Sequence, residues 1–396
     1  MKKRLIFNEI LKYLDHKNAI VITGMRQVGK TTLMKQIYDV TDHPKLWFDF
    51  DNPLDTLYFE NNDYNSIYEL LKQKSGAKNE RLYIFIDEIQ NLPEITTIIK
   101  YMIDHFGVKF IVTGSSNYYM KNLFPESLSG RKFLNVLNPL SFTEFLYFKN
   151  KIEISGEIQN EFSIENKLKN YSLLEYKQYE NDFSEFMEFG GFPEVVMTQD
   201  IKTKREVLKN IFTSFFEKDI KILSDFKDVR DLRDLILLLV PRTGNMIDIS
   251  RLSSELGVNR VKLYNYLELL QGVFLIKLIP KYSDSIDKSV AGGKKVYFAD
   301  NGLLKIIGNI NDGQLLENTV ANQLSNYGEI AFYNKRNTAE IDFILNKQIA
   351  FEVKLRTTER DFKKTQNLCS KIGIKDFWLV SLKYSETQKT IFPMFL

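Results

Sequence analysis

The sequence predicts an α/β protein: a parallel sheet with a phosphate-binding loop, then a helical lid, a winged helix-turn-helix and a C-terminal α/β domain. Three observations predict it. Residues 19–23 (AIVIT) form an apolar run ending in Gly24, and a helical pattern at Leu33, Met34 and Ile37 follows the glycine-rich turn. A second apolar run, Leu82 to Ile86, ends in Asp87 and Glu88, which reads as a buried parallel strand with acids at its carboxyl end. Further on, two helical patterns joined by a short turn precede two strand-like runs.

The first element carries the sharpest chemistry. Gly24, Gly29, Lys30 and Thr31 fit G-x-x-x-x-G-K-[ST] between a strand and a helix. Glycines let successive backbone N–H groups curl around a phosphate chain, and the helix that follows offers its N-terminal donors to the anion. The segment holding Gly24, Gln27, Val28, Gly29, Lys30, Thr31 and Thr32 is therefore the expected ATP-binding loop, with Lys30 on the β- and γ-phosphates and Thr31 on magnesium. Ligands of open α/β sheets gather at the carboxyl ends of the strands, so Asp87 faces the same cleft and holds Mg2+ directly or through water. Glu88 then polarises the attacking water, a role that a hydrolase needs and a small-molecule kinase does not. A third strand, KFIVTGSSNYY at 109–119, ends in Thr113, Ser115, Ser116 and Asn117, placed either to sense the γ-phosphate or simply to end a strand. Arg131 is the candidate arginine finger, acting in cis or from a neighbouring copy.

Composition bounds the rest. At 396 residues with 44% hydrophobic and 27% charged residues, the chain has material for several cores. One cysteine (Cys369) leaves no disulfide framework and no thiolate zinc site, and three histidines (His16, His43, His105) show no metal-ligand spacing. No apolar run approaches the ~20 residues of a membrane span. Charges break the opening MKKRLIFNEILKYLDHKNAI before any signal-type apolar core, so the expectation is a cytoplasmic protein. The net charge of +3 divides unevenly: Lys+Arg minus Asp+Glu is −3 over residues 1–240, +3 over 241–300 and +3 over 301–396. A basic C-terminal part suits a nucleic-acid partner.

GMRQVGKTTL, FIDEIQNLP, VTGSSN, SLSGR and NPLSFTEF, in that order, resemble the AAA+-like ATPases of archaea and bacteria, and GGFPEVV (190–196) and FFEKDI (215–220) extend the similarity. That family pairs an N-terminal ATPase with a C-terminal domain of unknown function. The resemblance implies ATP and Mg2+ as cofactors and, with Arg131 acting in trans, a ring-forming homo-oligomer.

Residues 150–189 are charged and read as amphipathic lid helices, with Glu180, Asp182, Glu185 and Glu188 on a solvated face. Asp248 is placed to cap a helix striped with Ile249, Leu252 and Leu256 and closed by Gly257; Asn259 opens a second helix with Val261, Leu263, Tyr266, Leu267 and Leu270 inside. The strands GVFLIKLI and KKVYFAD complete a module resembling a winged helix-turn-helix. Its second helix would expose Arg260, Lys262 and Asn265 to DNA, or the module packs on a partner instead.

In GEIAFYNKRNTAEIDFILNKQIAFEVKLR, a hairpin symmetric about residue 347 sets Asp342 opposite Glu352. Alternation sends Ile341, Phe343, Leu345, Phe351, Val353 and Leu355 to one face, and Asp342, Glu352 and Lys354 to the other. A carboxylate, E-x-K ten residues later and the upstream helical Glu317 resemble the PD-(D/E)xK nuclease fold. The resemblance implies Glu317, Asp342 and Glu352 as metal ligands and Lys354 as the catalytic lysine, and makes the C-terminal domain nuclease-like. Ile341 stands where the simplest pattern has proline, and Gln366 falls near a helical polar position of some members. The alternative is an ordinary half-buried hairpin whose polar face meets solvent, with Glu340 paired to Lys354.

The expected domains are 1–145 (ATPase core), 146–235 (helical lid or insertion), 236–305 (winged helix-turn-helix) and 306–396 (nuclease-like). The expected function is magnesium-dependent ATP hydrolysis coupled to nucleic acid, with DNA cleavage by the last domain as an added activity. The alternative is a nucleotide-dependent switch that binds a partner or DNA without cutting.

Overall fold

A computed structural model describes residues 2–114, 130–154, 163–220, 226–283, 292–335 and 339–396. They divide into two compact units, 1–138 with 272–274, and 139–271 with 275–396.

In the first unit, helix α1 (Ile6–Leu11) precedes β1 (Ala19–Thr23), and α2 (Lys30–Val40) follows the glycine-rich loop. The remaining strands are β2 (Lys45–Asp49), β3 (Tyr83–Asp87), β4 (Lys109–Gly114) and β5 (Lys132–Val136), with α3 (Ile95–Phe106) between β3 and β4. All pair in parallel in the order β2-β3-β4-β1-β5. The three strands read from apolar runs are the central ones, buried along their length because helices cover both faces of a parallel sheet. The registers Asp49↔Asp87, Ile86↔Val112 and Ile22↔Thr113 bring the carboxyl ends of β1 to β4 level with one another.

In the second unit, α4 (Leu173–Phe189) opens on a Ser172/Glu175 capping box. After α5 (Ile201–Ser214) and α6 (Phe226–Leu239) come α7 (Ile249–Leu256) and α8 (Arg260–Gly272), then the antiparallel pair of β6 (Ile276–Pro280) and β7 (Lys294–Phe298). The caps are as expected: Asp248 accepts from Arg251 N–H, Gly257 is left-handed, and Asn259 accepts from Lys262 N–H. Val261 is a correction. It is 70% exposed, outside the buried stripe of Leu263, Tyr266, Leu267 and Leu270.

The acids of α4 correct a second expectation, for they are an ion-paired seam rather than a solvated face. Glu185 holds Lys149 and the buried Lys204 (2.9 Å), Glu188 holds Lys305, and Asp182 lies 3.6 Å from Lys151. Neighbouring segments that bring lysines within reach turn the acidic stripe into a packing surface.

GGFPEVV marks the tightest crossing in this unit. Gly190 has φ +74°, and a Cβ there would collide with the Asp300 carboxylate; at Gly191 it would strike Leu140 O. Asp300 accepts from Gly191 N–H (2.7 Å) and also caps α9 (Asn301–Ile307). Burial raises its pKa to about 6.

After α10 (Asp312–Leu324), a five-stranded sheet runs β12-β11-β10-β9-β8, with β8 (Ile330–Lys335), β9 (Ala339–Leu345), β10 (Ile349–Lys354), β11 (Asp376–Ser381) and β12 (Thr390–Ile391). β8 to β10 are antiparallel, whereas α11 (Glu359–Ile372) crosses between the parallel β10 and β11. Asn346 (φ 49°) and Lys347 (φ 59°) form the hairpin turn, and Leu345↔Ile349 with Phe343↔Phe351 gives the expected symmetry about 347. A hairpin with a solvated polar face is not what forms. Ile344 and Ala350 are fully buried beneath Leu368 and Cys369 of α11, and Leu355, expected inside, is 42% exposed.

Candidate functional site

The first site is built at the carboxyl edge of the parallel sheet. Gly24 (φ +147°) passes so close to the Leu137 carbonyl that no Cβ fits. Gln27 (φ 62°) and Gly29 (φ 96°) are left-handed, curling the loop so that its N–H groups face inward. Val28 is fully buried beneath it. Gly29 caps α2 with no side-chain cap hydrogen bond, and the start of such a helix presents backbone N–H donors to an anion. Lys30 is buried and its ammonium donates to the carbonyls of Gly24 (3.0 Å) and Met25 (2.9 Å).

Asp87 ends β3, separated from β1 by β4 alone, and is 4% exposed. Burial, the largest influence, raises its pKa, against a hydrogen bond from Thr113 that holds the carboxylate. A hydroxyl on the first turn of α2 and a carboxylate at the end of β3 are hard oxygen donors, so Thr31 and Asp87 fit Mg2+. Glu88 is left-handed (φ 54°) and accepts from the Gln90 amide.

Thr113 is fully buried. Its hydroxyl donates to Asp87 and accepts from Glu88 N–H (3.2 Å), so it straps the two acids together instead of facing a nucleotide. Ser115, Ser116 and Asn117 lie outside the described residues. Arg131 is not brought to the loop. Its carbonyl pairs with Ala19 N–H at the amino end of β1, about 13 Å of strand away from Thr23. Its Nε is bound to Asp104 at 2.8 Å. As a finger acting in cis it is misplaced.

A second cluster lies in the C-terminal sheet. Asp342 accepts from Val353 N–H (2.8 Å), Glu352 is 4% exposed, and the Lys354 ammonium sits against Glu352 Oε1 (2.8 Å), Val353 O (3.0 Å) and Asp342 Oδ2 (3.8 Å). Glu317 of α10 accepts from Tyr297 (2.6 Å) and Lys295 (3.2 Å) of β7. Glu340 pairs with Lys295 (2.7 Å) and not with Lys354. Burial and the Asp342 charge lift both Glu317 and Glu352 to a pKa of about 7. As a metal centre the trio Glu317, Asp342 and Glu352 does not fit: among the described residues no three acids or other ligands are spaced for a metal ion. Lysines take the places that cations would fill. Gln366 is exposed, and Lys364 is the α11 residue that approaches Glu352 (3.9 Å).

On α8, Arg260 and Asn265 are exposed as expected. Lys262 is not free for DNA: Asp228 (2.5 Å) and Asp231 (3.5 Å) hold it, and the hydrogen bond to Asp228 raises its pKa. Tyr264, 57% exposed, takes its place on the open face beside Val261.

Three stretches of the chain match known family models. Residues 16–146 match the family model described as AAA domain. That stretch is an AAA domain with the P-loop NTPase fold. Beyond it, residues 180–314 match Domain of unknown function (DUF8612), and residues 312–393 match Domain of unknown function (DUF4143). Two similar relatives are uncharacterized proteins. One, from Methanocaldococcus jannaschii, is 28% identical over 97% of this chain and 86% of its own length; the other, from Haemophilus influenzae, is 29% identical over 91% and 90%. Among solved structures, a Walker-type ATPase of Pyrococcus abyssi aligns with TM-score 0.48 and 14% identity, covering 76% of this chain and 94% of that one. The ORC1 protein of Aeropyrum pernix in complex with DNA aligns with TM-score 0.30 and 11% identity, over 76% and 90%.

The AAA+-like domain thus has its loop, lysine and acid pair in one place, as read from the motifs. Sequence reasoning missed Gln90, which holds Glu88, and Arg4, whose guanidinium lies behind the loop. Neither belongs to a spaced motif; only the fold brings them in. No helix among the described residues is long and apolar enough to cross a membrane.

Proposed function

We propose that this chain is a cytoplasmic, magnesium-dependent ATPase that couples hydrolysis to binding or remodelling of nucleic acid. One observation carries the ATPase reading: the buried Asp87 ends β3 at the carboxyl edge of the same sheet as the loop that holds Lys30, with Glu88 one residue beyond. The uncapped N–H groups of α2 cradle the phosphates, and Lys30 exchanges its two carbonyl partners for β- and γ-phosphate oxygens. Thr31 and Asp87 hold Mg2+, which when bound neutralises charge on those oxygens. Glu88, fixed by the Gln90 amide, orients the attacking water and accepts its proton.

The nucleic-acid reading is supported by the +6 charge of residues 241–396 and by the exposed Arg260, Tyr264 and Asn265 of α8. It is tested by ATP turnover with and without duplex DNA at rising salt. Stimulation that fades steeply with salt is the expected result; turnover indifferent to DNA at low salt removes the coupling.

The second reading is a nucleotide-dependent switch whose C-terminal domain does not cleave. What favours it is the Lys354 ammonium lodged among Asp342, Glu352 and Val353 O. On that reading, junctions, flaps and single strands incubated with Mg2+ or Mn2+ stay intact, and cleavage that Asp342→Ala abolishes would restore the nuclease.

A further inference from the structure

Arg4 lies N-terminal to every motif of the AAA+-like domain. It is 7% exposed, and its guanidinium forks between two carbonyls: Nη1 donates to Val28 O (2.9 Å) and Nη2 to Asn138 O (2.9 Å). The segment that carries it is fastened to the domain, with Gln36 of α2 donating to Lys2 O (2.9 Å) and Phe7 N–H donating to Arg4 O (3.0 Å).

Val28 O belongs to the same peptide as the Gly29 N–H. Across a trans peptide the carbonyl and the following N–H point to opposite sides, and no peptide bond among the described residues is cis. Anchoring Val28 O on Arg4 therefore turns the Gly29 N–H away from Arg4, toward the inner side of the loop. Asn138 completes a ring of backbone contacts. Its neighbour Leu137 donates N–H to Thr23 O (2.7 Å) and presses its carbonyl against Gly24. The guanidinium thus joins the loop to the segment that leaves β5 and abuts the first glycine.

We propose that Arg4 is a positioning residue of the nucleotide site, holding the Val28–Gly29 peptide in its anion-binding orientation before ATP arrives. The proposal rests on the ATP reading of this loop. Lysine is not an equivalent, because a point charge on a flexible stem does not reproduce a planar fork spanning two carbonyls.

Titration calorimetry of the full chain with Mg-ATP tests it, using wild type, Arg4→Lys and Arg4→Gln, with the fold of each checked by circular dichroism. Loss of one charge-assisted bond predicts Kd weakened about tenfold, with kcat at saturating ATP within about twofold of wild type. A merely structural Arg4 gives the reverse pattern, kcat reduced through a smaller active fraction and KM unchanged. An unchanged Kd in either folded variant overturns the proposal while leaving the ATP reading intact; a wild type that does not bind ATP overturns both. Should neither variant fold, the wild type decides: the 15N resonances of the Arg4 guanidinium shift when ATP binds, and unmoved resonances overturn the proposal.

Discussion

Glu88→Gln is expected to bind ATP as wild type does and to turn it over about 10²- to 10⁴-fold more slowly, the weight of a positioned general base. The substitution keeps the shape and the Gln90 contact but removes the carboxylate that, on the proposed function, takes the water's proton. Asp87, Thr113 and the loop are untouched, so affinity stays. Steady-state turnover paired with equilibrium ATP binding makes the separation. Loss of both together would mean that Glu88 shapes the loop and leaves the water alone. Undiminished turnover would remove it from the chemistry.

Lys295→Met is expected to have the largest effect on folding. Lys295 is 4% exposed in the side chain and lies between Glu317 (3.2 Å) and Glu340 (2.7 Å). Once Glu317 is ionised, removing its buried partner costs up to about 3–5 kcal/mol, whereas Glu340, 42% exposed, is left to solvent. The loss depends on pH, and its sign follows from Glu317. Its folded pKa of about 7 stands above the ordinary glutamate value of 4.5, so the folded state retains a proton that the unfolded chain releases. Glu317 therefore favours folding at low pH and loses that contribution as pH rises from about 4.5 to about 7. Without Lys295 the carboxyl stays protonated to still higher pH. The gap between wild type and variant should be widest near pH 8 and narrow toward pH 5. Urea denaturation followed at Trp378 of β11, in a Trp47→Phe background, measures it. A pH-independent gap would mean that lost packing outweighs lost charge.

The legible parts of the fold were those set by local pattern. β1, β3 and β4 are central strands buried on both sides, so their sequences are nearly continuous apolar runs. Gly24, Gly29, Lys30 and Thr31 stand at the spacing of the phosphate-loop pattern, and Asp87 ends an apolar run. β2 and β5 escaped notice because they lie at the sheet edges, where KLWFD and KFLNV mix charge with apolar residues and bury only partly.

Side chains whose partners are distant in sequence were misread for one common reason. Lys262 reads as a free basic residue on a helix, yet Asp231, 31 residues earlier, helps to neutralise it. The acids of α4 read as a solvated stripe until Lys149, Lys204 and Lys305 arrive from three other segments. The hairpin register at 347 was correct, but the covering of both its faces depends on α11, which alternation within β9 and β10 cannot reveal. Arg4 carries no pattern at all; only the folded loop gives it a role.

Calorimetric titration of ATP into wild type and Lys30→Ala, with and without Mg2+, is the most direct test of the nucleotide site. One site per chain in the wild type, tightened by Mg2+ and lost in Lys30→Ala, is the predicted result. A wild type that does not bind ATP, or a Lys30→Ala protein that binds it equally well, would contradict the assignment of this loop.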